Sequence, residues 1–235
     1  MRRLTLALDA LPALREAARA FAVDLRAAAT LAQLSGVTTL RLGVGEELGP
    51  VHESDVVELR RTARRLELRM STGAAAQKLA LEVRPDLVVL AGDVWEGCAA
   101  RPLDPRGQSA VLGPLVRSLQ DAGLPVVLLV APQLDAVKEA HSLGVSGVEF
   151  STAAIVDLPA SERRPELQRL GDAVRLVSKL RLEVGVAGGL DDQSLPEVLE
   201  AGPAIERVVV GRALVSRALL LGIERAVRDY RALLA

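Results

Sequence analysis

Glycines follow two late apolar runs of this chain, in a pattern that has a chemical meaning. The segment EVGVAGGLDD contains Gly188 and Gly189, and the segment RVVVGRALVSR contains Gly211. Glycine lets backbone N–H groups approach a ligand closely, and the start of a following helix favours an anion. The two segments therefore predict a phosphate-binding site with Arg212 as its charged partner. The alternative is that the glycines only end strands.

Acidic side chains at the ends of apolar runs are the candidates for proton transfer. Four of them stand at or just after such a run: Asp9, Asp93, Glu149 and Asp191. A carboxylate in a low-dielectric site can have a raised pKa and act as a base. We assign no residue to catalysis and keep Asp9 and Glu149 as candidates. The alternatives are that Asp9 caps a loop and that Glu149 pairs with Arg41 or Arg69.

Other residue types that usually carry chemistry are scarce. The two histidines, His52 and His141, fall just before and within predicted helices, which favours capping or exposure. The single cysteine, Cys98, has no neighbouring base to form a thiolate, and Trp95 is expected to pack its own segment, the alternative being that it covers a ligand. No carboxylate and histidine cluster has metal-ligand spacing, so we expect no metal and no other cofactor.

The composition excludes several classes of partner. The chain has 235 residues, with 29 Lys and Arg against 30 Asp and Glu, and 2% aromatic residues. Neither a basic patch nor an aromatic platform indicates nucleic acid or an anionic membrane. No apolar stretch reaches the roughly 18 residues that span a bilayer. We expect a cytoplasmic protein, since one cysteine indicates no disulfide framework.

The elements that must position these residues alternate regularly along the chain. Eight short apolar runs read as strands: Leu4–Leu8, Thr39–Val44, Glu67–Met70, Leu87–Leu90, Val126–Val130, Gly147–Phe150, Leu182–Val186 and Arg207–Val210. Helical patterns separate them, and the last predicted helix is Ser216–Leu234. Eight such units in one domain, residues 1–235, predict an α/β fold of the (β/α)8 TIM barrel type. The competing fold is a doubly wound open sheet.

Several segments in order resemble one family, the pyridoxine 5′-phosphate synthases (PdxJ) of the vitamin B6 pathway. LALDALPALREA is similar to the family's first strand and loop, and RLELRMS, VEFSTA and VAGGL stand where later strands end. VGRALVSRALLLGIERAV follows the family's IGHAIIGRAVxxGLxxAV without a gap. The resemblance covers nearly the whole chain and implies the same barrel, with Asp9 and Glu149 at polar positions that the family also keeps.

The departures from the family concern its acid–base residues. Histidines of the family fall on Gly43, Pro50 and Gly188 here, and the glutamate of its LEMA motif falls on Arg69. The family's chemistry needs proton transfer on its intermediates. The resemblance therefore implies a pyridoxine 5′-phosphate synthase-like barrel that lacks the family's catalytic set.

Two classes of function follow. The first is a non-catalytic paralogue (a pseudoenzyme) with a binding or regulatory role that keeps a site for inorganic phosphate or a phosphorylated small molecule, or that binds a protein partner. The second is an active enzyme, either a divergent synthase or a barrel acting on another phosphorylated small molecule. In either case we expect a homo-oligomer, since the outer helices are rich in Ala, Leu and Val, as in RALLLGIERAV.

Overall fold

Eight parallel strands close into a barrel in the computed structural model, which describes residues 2–18, 24–45, 50–92 and 100–234. Each strand pairs with its neighbours in chain order, and β1 pairs with β8. The strands are β1 Arg3–Ala7, β2 Thr39–Val44, β3 Leu66–Met70, β4 Leu87–Leu90, β5 Val126–Val130, β6 Gly147–Ser151, β7 Glu183–Ala187 and β8 Arg207–Val210. The predicted (β/α)8 barrel is confirmed, because a doubly wound sheet would have open edges.

Helices cover the outside of this barrel. They are α1 Ala10–Ala18, α2 Leu25–Leu34, α3 Glu53–Thr62, α4 Ala74–Val83, α5 Ser109–Asp121, α6 Leu134–Ser142, α7 Ala153–Val156, α8 Arg164–Lys179, α9 Ser194–Ala201, α10 Arg212–Leu221 and α11 Ile223–Ala232. No helix in the described part of the chain is long and apolar enough to cross a membrane.

The C-terminal helix differs from its prediction. The single helix expected over Ser216–Leu234 is two helices, α10 and α11, and α10 begins four residues earlier, directly after β8. Gly222 separates them with a φ of +81°, a left-handed conformation that no helix interior tolerates. The early start matters for function, because it places the N-terminus of α10 at the mouth of the barrel.

The barrel interior contains an apolar cluster and a group of buried charges. Inward-facing residues of β4 and β5, such as Val89 and Val127, pack together as a buried apolar cluster. Strands β2, β3, β6 and β8 hold four fully or nearly fully buried charges: Arg41, Glu67, Glu149 and Arg207. Alternation along a strand sends every second side chain inward, so these charges project into the barrel rather than toward the helices.

Candidate functional site

A cavity of about 360 Å³ opens at the carboxyl ends of the strands. In parallel barrels this end carries the loops that hold ligands. The predicted site residues that line it are Asp9, Glu149, Gly188, Gly189, Asp191, Gly211 and Arg212, together with Arg41 and Arg69. Residues far apart in the chain are thus brought around one cavity. Predicted residues Asp93, Trp95 and Cys98 lie outside the described residues.

The loop after β7 forms one wall of the cavity. Gly188 and Gly189 have φ angles of +113° and +77°, which favour glycine. The hydroxyl of Thr152 donates to the carbonyl of Gly188 at 2.6 Å and to that of Ala187 at 3.1 Å. A Cβ on Gly188 would lie 3.2 Å from the backbone nitrogen of Ala153, so this wall is tightly fitted to the chain after β6.

The start of α10 forms the adjacent wall. Gly211 occupies the N-cap position and Arg212 the first helical position. The first N–H groups of a helix have no partner inside it, and they carry a partial positive charge. Arg212 is exposed and makes no ion pair with a side chain of the described residues. This corner of the cavity therefore combines backbone donors with an exposed positive charge, and these are features that favour an anion.

Four charged side chains form a buried network below the cavity. Arg41 donates through Nη1 and Nη2 to both carboxylate oxygens of Glu149 at 2.7 and 2.6 Å, and through Nε and Nη2 to Glu67 at 3.0 and 2.6 Å. Nitrogens of Arg207 lie 3.2 Å from Glu67 and 3.4 Å from Glu149. Two cations face two carboxylates, so the four formal charges balance. Glu149 therefore pairs with Arg41, which was one of the alternatives to a catalytic role in the sequence analysis.

This network sets the protonation state of Glu149, whose side chain is 0% exposed. Burial alone would raise its pKa, but the charges of Arg41 and Arg207 outweigh burial and hold the pKa below its ordinary value. In Arg41, the charges of Glu149 and Glu67 likewise outweigh burial and raise the pKa. Glu149 is therefore an ionised structural carboxylate and a poor proton acceptor near neutral pH.

The Asp9 side chain lies at the cavity edge, where β1 ends. Its Oδ1 accepts a hydrogen bond from the backbone N–H of Gly43 at 2.5 Å, which ties the end of β1 to β2. Its Oδ2 lies 3.7 Å from Nη2 of Arg69, too far for a hydrogen bond. Asp9 thus lies between a backbone donor and a guanidinium.

The remaining candidates from the sequence, Asp191 and the two histidines, either bind neighbouring backbone or lie outside the cavity. Oδ1 of Asp191 accepts hydrogen bonds from the N–H of Gln193 and Ser194 and from the Ser194 hydroxyl, at 3.1, 2.7 and 2.6 Å. Burial would raise the pKa of Asp191, but these bonds lower it.

His52 is exposed at the N-cap of α3, and His141 is exposed near the end of α6. Neither histidine lines the cavity. No group of three or more metal-binding side chains occurs among the described residues.

Sequence reasoning missed an ion pair beside the mouth. Arg15 in α1 donates through Nη1 and Nη2 to both oxygens of Asp55 in α3, each at 2.7 Å, and through Nη2 to the carbonyl of Pro50 at 3.0 Å. Burial would raise the pKa of Asp55, and the hydrogen bond from Arg15 contributes most to lowering it. The signal was present in the sequence, since both residues stand near predicted loop ends, but local patterns do not pair residues 40 positions apart.

Comparison with known proteins connects the chain to one family. A family model described as "Pyridoxal phosphate biosynthesis protein PdxJ" matches residues 4–235. The pyridoxine 5′-phosphate synthase of Synechococcus sp. (strain CC9605) is 32% identical over 235 residues, covering 99% of this chain and 94% of that protein. The protein of the same name from Geobacter metallireducens is 32% identical over 232 residues, covering 97% of each.

Solved structures of more distant proteins share the fold. The thiamine phosphate pyrophosphorylase from Pyrococcus furiosus superposes with a TM-score of 0.62 at 16% identity, covering 98% of this chain and 94% of that one. The 3-keto-L-gulonate-6-phosphate decarboxylase from Vibrio cholerae gives a TM-score of 0.62 at 15% identity, covering 99% and 96%. At these identities the likeness concerns the barrel alone.

Proposed function

Because this chain belongs to the PdxJ family, we propose that it is a non-catalytic paralogue of the pyridoxine 5′-phosphate synthases that binds a phosphorylated small molecule at the barrel mouth. The observation that carries the proposal is the state of Glu149. Its carboxylate is fully buried and bound on both oxygens by Arg41, with its pKa held low. A residue so held serves the fold and not proton transfer.

The other groups around the cavity support the same function. A general base or acid near neutral pH needs a pKa near the working pH. Both histidines of the chain lie away from the cavity, and Asp191 is bound at the start of α9 with a lowered pKa. Among the described residues, three arginines, Arg41, Arg69 and Arg212, and three carboxylates line the cavity. The arginines stay protonated at any physiological pH, and Arg212 beside the start of α10 is the part of this lining that suits an anion.

The phosphate part of the proposal depends on Gly188, Gly189 and Gly211. The cavity reaches both the β7 loop and the start of α10, and Ala213 and Ser216 of α10 also line it. Backbone donors at a helix start suit a phosphate, and Arg212 adds a full positive charge beside them. Where the resemblance places a histidine of the family, Arg212 supplies a charge that is independent of pH.

Complementation tests the loss of catalysis. A bacterium lacking its own pyridoxine 5′-phosphate synthase should not grow without vitamin B6 when it expresses this protein, because no histidine lines the cavity and Arg41 holds the Glu149 carboxylate. The Geobacter metallireducens relative serves as the positive control, and immunodetection confirms expression. Normal growth would reject the proposal in favour of a divergent synthase.

Calorimetry tests the phosphate site. Inorganic phosphate, deoxyxylulose phosphate and pyridoxine phosphate are titrated into the protein and into a Gly211→Asp variant, which places a negative charge at the N-cap of α10. Gln133→Asp adds the same charge at the N-cap of α6, away from the cavity. At least one ligand should bind, and only Gly211→Asp should abolish binding. If none binds more tightly than about 10 mM, the phosphate proposal fails.

A further inference from the structure

Arg69 is a partly buried cation of the cavity whose ion pair is long. Its side chain is 13% exposed, and its ion-pair partner among the described residues, Asp9, lies at 3.7 Å. No described residue accepts a hydrogen bond from its guanidinium, whereas Arg41 in the same cavity donates four. A guanidinium has five donors in a rigid fork, and leaving them unused in a partly buried place is unfavourable.

The position of Arg69 leaves one edge of the fork for a ligand. Nε and Nη2 lie over Gly43 in β2, and Nη2 also faces Asp9. Among the described residues none accepts a hydrogen bond from Nη1, so the edge formed by Nη1 and Nη2 is the one we assign to an additional group. Two parallel N–H donors at this spacing match the two oxygens of a carboxylate.

Arg69 and Arg212 contribute to different walls of the cavity. Arg69 belongs to β3, and Arg212 begins α10 after β8. The strand β3 is separated from β8 by β1 and β2 in the closed sheet. A cavity of about 360 Å³ lies at the small end of ordinary ligand sites, so its ligand is a small molecule. The carboxylates that also line the cavity already accept hydrogen bonds within the protein. Arg69 and Arg212, two separated cations in so small a space, therefore favour a ligand with two separated anionic groups.

We propose that the ligand is a small phosphorylated carboxylic acid, whose phosphate binds at Gly188, Gly211 and Arg212 and whose carboxylate binds the guanidinium of Arg69. This inference rests on the proposed phosphate site and specifies its ligand class. Apolar residues of the wall, including Leu129 and Val209, contact the short carbon chain between the two groups. Arg69 is thus the specificity residue, and Arg212 is the phosphate partner.

A matched pair of ligands tests the inference. 3-Phosphoglycerate and glycerol 3-phosphate differ in one group, a carboxylate in the first and a hydroxymethyl in the second. Calorimetry should show that the protein binds 3-phosphoglycerate more tightly by about tenfold or more. Arg69→Met should remove that preference while leaving the affinity for glycerol 3-phosphate within about twofold, and Arg69→Lys should keep part of it, because lysine retains the charge but not the fork.

Arg65→Met is the control for net charge, because Arg65 is exposed at the other end of the same strand and does not line the cavity. Far-ultraviolet circular dichroism establishes that each variant is folded. Equal binding of the two ligands by the unaltered protein would overturn the inference and leave the phosphate site standing. Equal loss of preference in Arg65→Met and Arg69→Met would overturn it as a general charge effect. Failure of both ligands and of inorganic phosphate to bind would reject the proposed function as well.

Discussion

The guanidinium of Arg69 fills the space above Gly43. The two residues are paired in register across β2 and β3, and a Cβ placed on Gly43 would lie 2.2 Å from Nη2 and 2.7 Å from both Cζ and Nε of Arg69. No side chain can occupy position 43 while Arg69 keeps this position. The two departures from the resembled family at these positions, where a histidine and a glutamate are expected, are therefore physically linked.

A double-mutant cycle measures this link. Gly43→Ala alone should lower the free energy of unfolding by about 1 kcal/mol, because the flexible end of Arg69 must move away from Asp9. In an Arg69→Ala background, Gly43→Ala should instead stabilise by ~0.5–1 kcal/mol, since glycine in a strand costs conformational entropy. Urea unfolding of the four proteins gives the coupling. Equal effects of Gly43→Ala in both backgrounds, within about 0.5 kcal/mol, would show that the guanidinium does not occupy this space.

The strands could be predicted closely from sequence, each within one residue of its observed bounds. Strands β4 and β5 read as continuous apolar runs, as strands buried on both faces do, whereas β2 and β3 alternate charged residues with leucine. Helix α1 was not predicted, because it lies in the segment that the resemblance assigns to a strand and a loop. Pro12 is the third residue of the helix, where a backbone N–H has no helical partner, so the proline costs little.

The candidate site could be predicted only in part. Strand ends placed Gly188 and Gly211 at one mouth, because a barrel gathers all carboxyl ends together. The partners of the charged residues could not be predicted, since Arg41 and Glu149 are 108 positions apart and meet only through closure of the sheet. The alternation of charge with leucine around Arg41 and Glu67 was a usable signal of inward-facing charge.

Removing the Glu149 charge should destabilise the barrel strongly. Glu149→Gln leaves the buried cations Arg41 and Arg207 with Glu67 between them and Glu183 beside Arg207. Breaking a buried pair lowers the free energy of unfolding by about 3–5 kcal/mol at pH 7. Because the pKa of Glu149 is lowered in the folded state, its contribution is present above the unfolded value of about 4.3 and is lost as pH falls through the folded value. The stability gap between the two proteins should be constant from neutral pH to about pH 5 and narrow below it.

Glu200→Gln is the matched control, because Glu200 is exposed on α9 and its neutralisation should change the free energy of unfolding by less than about 0.5 kcal/mol. Urea unfolding followed by circular dichroism across this pH range measures both. A Glu149→Gln protein as stable as the Glu200→Gln protein at pH 7 would contradict the assignment of Glu149 to a buried ion pair.

The pair Arg15 and Asp55 should couple α1 to α3. Asp55 is 5% exposed, and Arg15 satisfies both of its oxygens. Arg15→Met or Asp55→Asn alone should lower the free energy of unfolding by about 1–2 kcal/mol. The double variant should lower it little more than either single variant, because each single change already removes the interaction. Hydrogen exchange should show faster opening of α1 in both single variants. Strictly additive losses, with unchanged exchange in α1, would show that the pair does not hold the helix.

The C-terminal half of α10 should mediate self-association. Leu219, Leu220 and Leu221 are 72%, 86% and 51% exposed, an unusual run of apolar surface on an outer helix. Light scattering at micromolar concentration should give a mass of at least twice the 24.9 kDa of the chain. Leu220→Glu should lower that mass, because burying a carboxylate among leucines is unfavourable. Val111→Glu is the control, because Val111 is exposed on α5, which lies across the barrel from α10. This variant should leave the mass unchanged. A monomeric unaltered protein, or equal effects of the two variants, would exclude this surface.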